Sequence, residues 1–194
     1  ITSQYASVGC SATTTTTNRA FYFNGSVYEI IIYSNVLTTA QRQQVEGYLA
    51  WKWNIQSQQP TTHPYYYNQG IANLTLSAQI ANKYAATNVF PIVPTNFGNL
   101  SLWFDATDQN TVVTSGSNVT AWNDKSGNGT NATTSSNNPV YTPNSLNGLP
   151  TLRFNGGTGT ANFLDIPAFD WGTANRTMFL VIKNTASAVG SGVA

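Results

Sequence analysis

Residues 20–54 read AFYFNGSVYEIIIYSNVLTTAQRQQVEGYLAWKWN, a strand followed closely by a capped amphipathic helix. Phe21 and Phe23 alternate with Tyr22, and Asn24-Gly25 is a turn signal of hairpin type. Val27 to Tyr33 is a β-branched and aromatic run whose length and composition predict a buried strand. Glu29 interrupts that run. Alternation places its side chain opposite Tyr28 and Ile30, with a pairing partner expected. Thr38 then caps a helix, and Gln41 three residues later makes a capping box. Val45, Tyr48, Leu49 and Lys52/Trp53 fall at helical spacing and give one apolar face. The helix is expected over 38–53, ending near Asn54, and Pro60 and Pro64 enforce an extended exit. Trp51 and Trp53 are read as packing this helix onto the sheet rather than as a sugar-stacking pair.

Outward from this stretch, residues 1–19 are polar, and the Thr13–Thr17 run suggests a loop or solvated edge strand. Residues 67–97 are rich in Ala, Asn and Gln and read as a partly ordered linker, in which Leu74, Leu76 and Ile80 suit a short strand or brace. From Leu100 the β signal resumes: Leu100, Leu102 and Phe104 alternate with Ser101 and Trp103, followed by Val112–Val113 and Val119–Trp122. Residues 124–129 form a dense turn cluster. Asn147-Gly148 separates two further strand candidates, Leu149–Phe154 and Met178–Lys183. Short strands at this spacing predict a sandwich.

Composition narrows the function classes. Only 8 % of residues are charged, with 8 Lys+Arg against 7 Asp+Glu. Such balance, without a basic run, argues against a nucleic-acid partner. One Cys excludes a disulfide framework within the chain, and one His excludes a multi-histidine zinc site. No apolar run approaches the roughly 20 residues of a membrane-spanning helix, so no membrane insertion is expected. The chain opens at Ile1 with neither Met nor a leader, which suits a processed protein or part of a longer one.

Two blocks carry a family resemblance: GSVYEIIIY with EGYLAWKW, and LWFDATD with WNDKSGNG. The first resembles the C-terminal signature of concanavalin A-like, laminin-G-like jelly rolls, and the second resembles the N-terminal signature of the same family. The resemblance implies an all-β antiparallel sandwich of jelly-roll type with one peripheral helix. Comparable modules are common in bacterial surface proteins, phages and large DNA viruses, mostly as binding or structural units in tandem. The order of the two signatures is inverted for a single domain. The expected organisation is therefore the C-terminal part of one module over 1–66, a linker over 67–97, and the N-terminal part of a second module over 98–194. The expected function is a non-catalytic structural or adhesive surface protein, a virion, fibre or appendage component found on a virion surface or outside the cell. Its partners are expected to be copies of itself or adjacent repeats, joined head to tail. The alternative is a carbohydrate-binding, lectin-like module of a larger adhesin or enzyme, with host or surface glycans as partners. A circularly permuted single domain is the competing organisation.

Candidate site residues follow from chemistry. Glycoside hydrolysis needs two carboxylates about 5–10 Å apart. Glucanases of this fold resemble E-x-D-x-E on one strand, whereas here Glu29 is followed by Ile31 and Tyr33; no enzyme is expected. Asp105, Asp124 and Asn128 offer the hard oxygen ligands that calcium takes, although Asx turns account for Asp124 and Asn128 without a metal. Tyr65, Tyr66 and Tyr67 are the aromatic candidates for a carbohydrate or partner platform. Asn-x-Ser/Thr sequons, candidate N-glycosylation sites, occur at Asn24, Asn73, Asn99, Asn118, Asn128, Asn131 and Asn175.

Overall fold

A computed structural model describes residues 6–12, 19–67, 92–134, 136–157, 161–166, 169 and 174–185. Its strands are β1 (Ala6–Val8), β2 (Ser11–Ala12), β3 (Arg19–Ala20), β4 (Gly25–Tyr33), β5 (Leu100–Asp105), β6 (Val112–Ser115), β7 (Asn118–Trp122), β8 (Ala132–Thr133), β9 (Val140–Leu146), β10 (Leu149–Phe154), β11 (Leu164–Ile166) and β12 (Thr177–Asn184). Among the described residues the one α-helix, α1 (Thr39–Lys52), is followed by a 3-10 turn at Gln56–Gln58, and another lies at Pro94–Asn96. The predicted capping box is present: Thr38 Oγ1 accepts from Gln41 N, and Gln41 Oε1 accepts from Thr38 N.

All described strand pairs are antiparallel. Ten strands make one curled sheet in the order β1-β11-β8-β7-β9-β10-β4-β12, with β5 also on β4 and β6 on β7. The chain is thus mostly antiparallel β with one helix, and the sheet forms a half-barrel. β4 is its organiser: β12 runs along one side, and β10 and β5 share the other. Sequence order placed 1–66 and 98–194 in separate modules. In this chain β4 of the first segment hydrogen-bonds to β5, β10 and β12 of the second, and β1 pairs with β11. The pairing is made within one copy, and among the described residues the first and last strands, β1 and β12, do not pair with each other.

The two faces of β4 build two cores. Val27, Ile30 and Ile32 join Leu102, Phe104, Trp122, Leu152 and Phe154 inside the curl. Tyr28, Ile31 and Tyr33 lie on the outer face with Val45, Leu49 and Trp53 of the helical segment. Leu102 and Leu152 are fully buried, so truncating either to Ala costs about 2–5 kcal/mol.

Along β4 the alternation of faces fails at one point. Val181 of β12 faces Glu29 while Ile182 faces Val27, so Tyr28 is an extra residue in β4. This bulge turns Tyr28 and Glu29 to the same face. Tyr28 meets Trp53 edge-on at 5.3 Å, and Glu29 is bonded to Tyr48 and Trp53. The expectation that Glu29 opposes Tyr28 is therefore corrected; it does oppose Ile30, and it is paired. The expected linker residues Leu74, Leu76 and Ile80, and the Thr13–Thr17 run, lie outside the described residues. Within 67–97, the Pro94–Asn96 turn packs back on the sheet, with Tyr33 Oη donating to Pro94 O.

Candidate functional site

The most concentrated chemistry lies under α1. Glu29, 1 % exposed, accepts four hydrogen bonds: Tyr48 Oη at 2.9 Å and Trp103 Nε1 at 2.8 Å on Oε1, Lys52 Nζ at 2.9 Å and Trp53 Nε1 at 2.7 Å on Oε2. Asp105 stands directly across from it on β5. Lys52 Nζ also reaches Asp105 Oδ1 at 2.7 Å, and Lys125 Nζ joins Asp105 and Asp108, each at 2.9 Å. Lys125 further sits 4.3 Å over the Trp103 ring.

Burial pushes the Glu29 carboxyl above its ordinary range, with Lys52 opposing. The hydrogen bonds from Lys52 and Trp103 favour the ionised form and oppose that rise. Burial also pushes Asp105 up, but the charge and hydrogen bond of Lys52, with Thr107 and Lys125, outweigh it and leave the group below its ordinary value. Burial pulls Lys125 down, and Asp105 and Asp108 more than restore it. Burial and the neighbouring Glu29 raise the Tyr48 hydroxyl far above its usual range. Every acceptor position of Glu29 is taken by the protein, so this cluster fastens helix to sheet.

The residues singled out from sequence are dispersed. Asp105 is occupied by Lys52, Lys125 and Thr107. Asp124 accepts from Trp103 N, Ser126 N, Ser126 Oγ and Thr130 N. Asn128 Nδ2 donates to Leu100 O and Ser101 O. These three side chains bind the 124–128 turn and β5, and no cluster of three or more His, Cys, Asp or Glu suited to a metal exists among the described residues. Tyr65 is buried, with its Cβ 2.6 Å from the position a Cβ would take on Gly47. Trp51 Nε1 donates to Tyr65 O. Only Tyr66 and Tyr67 remain as an outward pair, edge to face at 4.6 Å. Asn99, Asn118, Asn128, Asn131 and Asn175 are exposed. Asn24 is half-buried and accepts from Arg153, and Asn73 lies outside the described residues.

Hollows open on the surface among the described residues. One of about 270 Å³ lies inside the curl between β1 and β12 and is lined by apolar side chains with Ser7 and Gly9. One of about 310 Å³ separates β12 from α1 and the Gln56–Gln58 turn. The third, about 420 Å³, is polar, lined by Arg42, Gln43, Glu46, Gln58, Gln59 and His63 among others. His63 Nε2 lies 3.1 Å from Glu46 Oε2, and the buried Gln59 Oε1 accepts no hydrogen bond from the described residues.

Sequence reading missed the roles of Lys52, Trp103 and Lys125. The signal was present in a lone acid inside an apolar strand, which demands cations and N–H donors nearby. It also missed that Met178, Leu180 and Ile182 would stay half-exposed, because that depends on what lies across the curl. No helix among the described residues is long and apolar enough to cross a membrane. No protein-family model matches this chain, nor does any curated protein or any solved structure.

Proposed function

We propose that this chain is a non-catalytic structural or adhesive surface module of laminin-G-like, jelly-roll type that assembles head to tail with copies of itself or adjacent repeats. A virion surface, fibre or other extracellular setting suits such a module. The observation that carries the reading is a division of labour. The buried carboxylates, Glu29 and Asp105, are fully used in holding α1 to the sheet, while an apolar row on the last strand is left half-exposed at the open end of the curl. Enzymes arrange charge toward a cleft; here it is turned inward and consumed. The low charge and the uncharged β-forming composition point the same way.

The alternative, a carbohydrate-binding module, draws on the polar hollow beside α1. Amides, a guanidinium and a carboxylate are the groups that recognise sugar hydroxyls, and Gln59 Oε1 there lacks a partner. Calcium assistance through Asp105, Asp124 or Asn128 would require those side chains to give up their present bonds. Glycan-array binding of the purified chain, with and without chelator, together with electron microscopy, separates the readings. Regular assemblies without bound sugar support the structural role. Saturable glycan binding by dispersed monomers overturns it.

A further inference from the structure

The outer edge of β12 is the open end of the sheet. Met178, Leu180 and Ile182 are registered against Ile32, Ile30 and Val27. They remain 44 %, 50 % and 49 % exposed, whereas those neighbours are 3 %, 6 % and 4 % exposed. On their side lies the apolar cavity whose far wall is Ala6–Gly9 and Phe169. The hollow toward α1 touches Met178 and Leu180 but also Phe179 and Val181. Side chains alternate along a strand, so a hollow that meets both parities lies along the strand edge rather than over one face. Leu49 and Ile55 overhang it. The position one strand beyond β12 therefore has a wall on each face and an unpaired backbone beside it among the described residues.

Two other free edges are defended. The outer edge of β5 is closed by the 124–128 turn, with Lys125 N donating to Trp103 O and Trp103 N donating to Asp124 Oδ1. β9 carries Pro143 and the left-handed Asn144. β12 has no proline, and its one charge, Lys183, lies near its C-terminal end across from Ser26.

We propose that an extended segment of a second copy of this chain adds to β12 as a further strand and fills this groove. The inference rests on the structural reading above and gives its assembly a site. The cavity under the Met178–Ile182 row has no ionised lining group, which offers nothing to a nucleic acid or a charged membrane surface. It matches the uncharged, β-forming sequence of this chain itself, only 8 % charged. β1 and β12, the first and last strands among the described residues, flank the groove, an arrangement in which neighbouring copies can exchange chain. Backbone hydrogen bonds supply the affinity and the two hollows read alternate side chains.

The test is light scattering of the purified chain across a wide concentration range, with Leu180→Lys and with Val113→Lys as control. Val113 is 45 % exposed on β6, away from the groove. The expected result is concentration-dependent association that Leu180→Lys weakens at least about tenfold and Val113→Lys leaves unchanged. Should Leu180→Lys unfold the chain, Met178→Gln gives the same readout with a milder change. Association that survives both groove variants overturns the groove while leaving the structural reading standing. A wild-type chain that stays monomeric throughout overturns the groove. A monomer that also binds glycan overturns the structural reading as well.

Discussion

Glu29 and Asp105 face each other on adjacent antiparallel strands, and a single ammonium, Lys52 Nζ, bridges them at 2.9 and 2.7 Å. Two like charges directly opposite would destabilise the sheet. The helix residue that neutralises them arrives only because α1 is docked, so packing of α1 and pairing of β4 with β5 support each other.

Lys52→Met leaves two buried carboxylates without their shared cation. The expected loss is about 3–5 kcal/mol, read as a lower midpoint in urea unfolding. Arg42→Met, which removes an exposed ion pair with Glu46, is expected to cost under about 1 kcal/mol. Equal losses from the two variants would show that the buried network is not the fastening it is described as.

The pH dependence carries two signs. Asp105 is held below its ordinary 3.8, so below that value the unfolded chain takes up protons first. Its stabilisation is complete above the unfolded value and fades as pH falls through the depressed folded one. Glu29 is raised above 4.5, so the native state binds that proton more tightly. Its contribution is complete below the unfolded value and is lost as pH rises through the folded one. Thermal midpoints should therefore climb from strongly acidic pH to about pH 4 and then decline. Glu29→Gln should abolish the decline and keep the acid limb; Asp105→Asn should weaken the acid limb.

Gly47→Ala tests the seat of Tyr65. In an exposed helix position the change favours the helix by about 1 kcal/mol. At Gly47 the new Cβ would lie 2.6 Å from Tyr65 Cβ and 2.7 Å from its Cγ, so the chain at Tyr65 must move. A lower thermal midpoint is expected; a rise would mean that Tyr65 does not pack there.

Thr38→Ala removes the side-chain half of the capping box. The expected cost is about 1 kcal/mol, and a Thr38→Ser variant should recover most of it in the same denaturant titration.

Local physics made some elements legible from sequence. The strand Val27–Tyr33 and the helix over 38–53 are set by composition, periodicity and a cap, and both stand as read. The Tyr28 bulge was not legible, since register depends on β12, far along the chain. β9 was not among the strand candidates; it holds Pro143 and a left-handed Asn144, residues that a strand tolerates at an edge. The acidic residues were noticed as possible ligands, but their partners Lys52 and Lys125 come from a helix and a turn that only folding brings to β5. Tyr65, Tyr66 and Tyr67 are contiguous in sequence, yet burial beside Gly47 separates the first from the other two. The curl that leaves Met178, Leu180 and Ile182 half-covered is a property of the whole sheet, beyond any window of sequence.

Nuclear magnetic resonance on an equal mixture of differently isotope-labelled copies tests the central claim most directly, because it separates contacts within a chain from contacts between chains. The account predicts that Glu29–Ile32 meets Leu102–Asp105 only within one label, while Met178–Ile182 contacts the other label. Contacts between labels joining Glu29–Ile32 to Leu102–Asp105, or none across labels at Met178–Ile182, would contradict it.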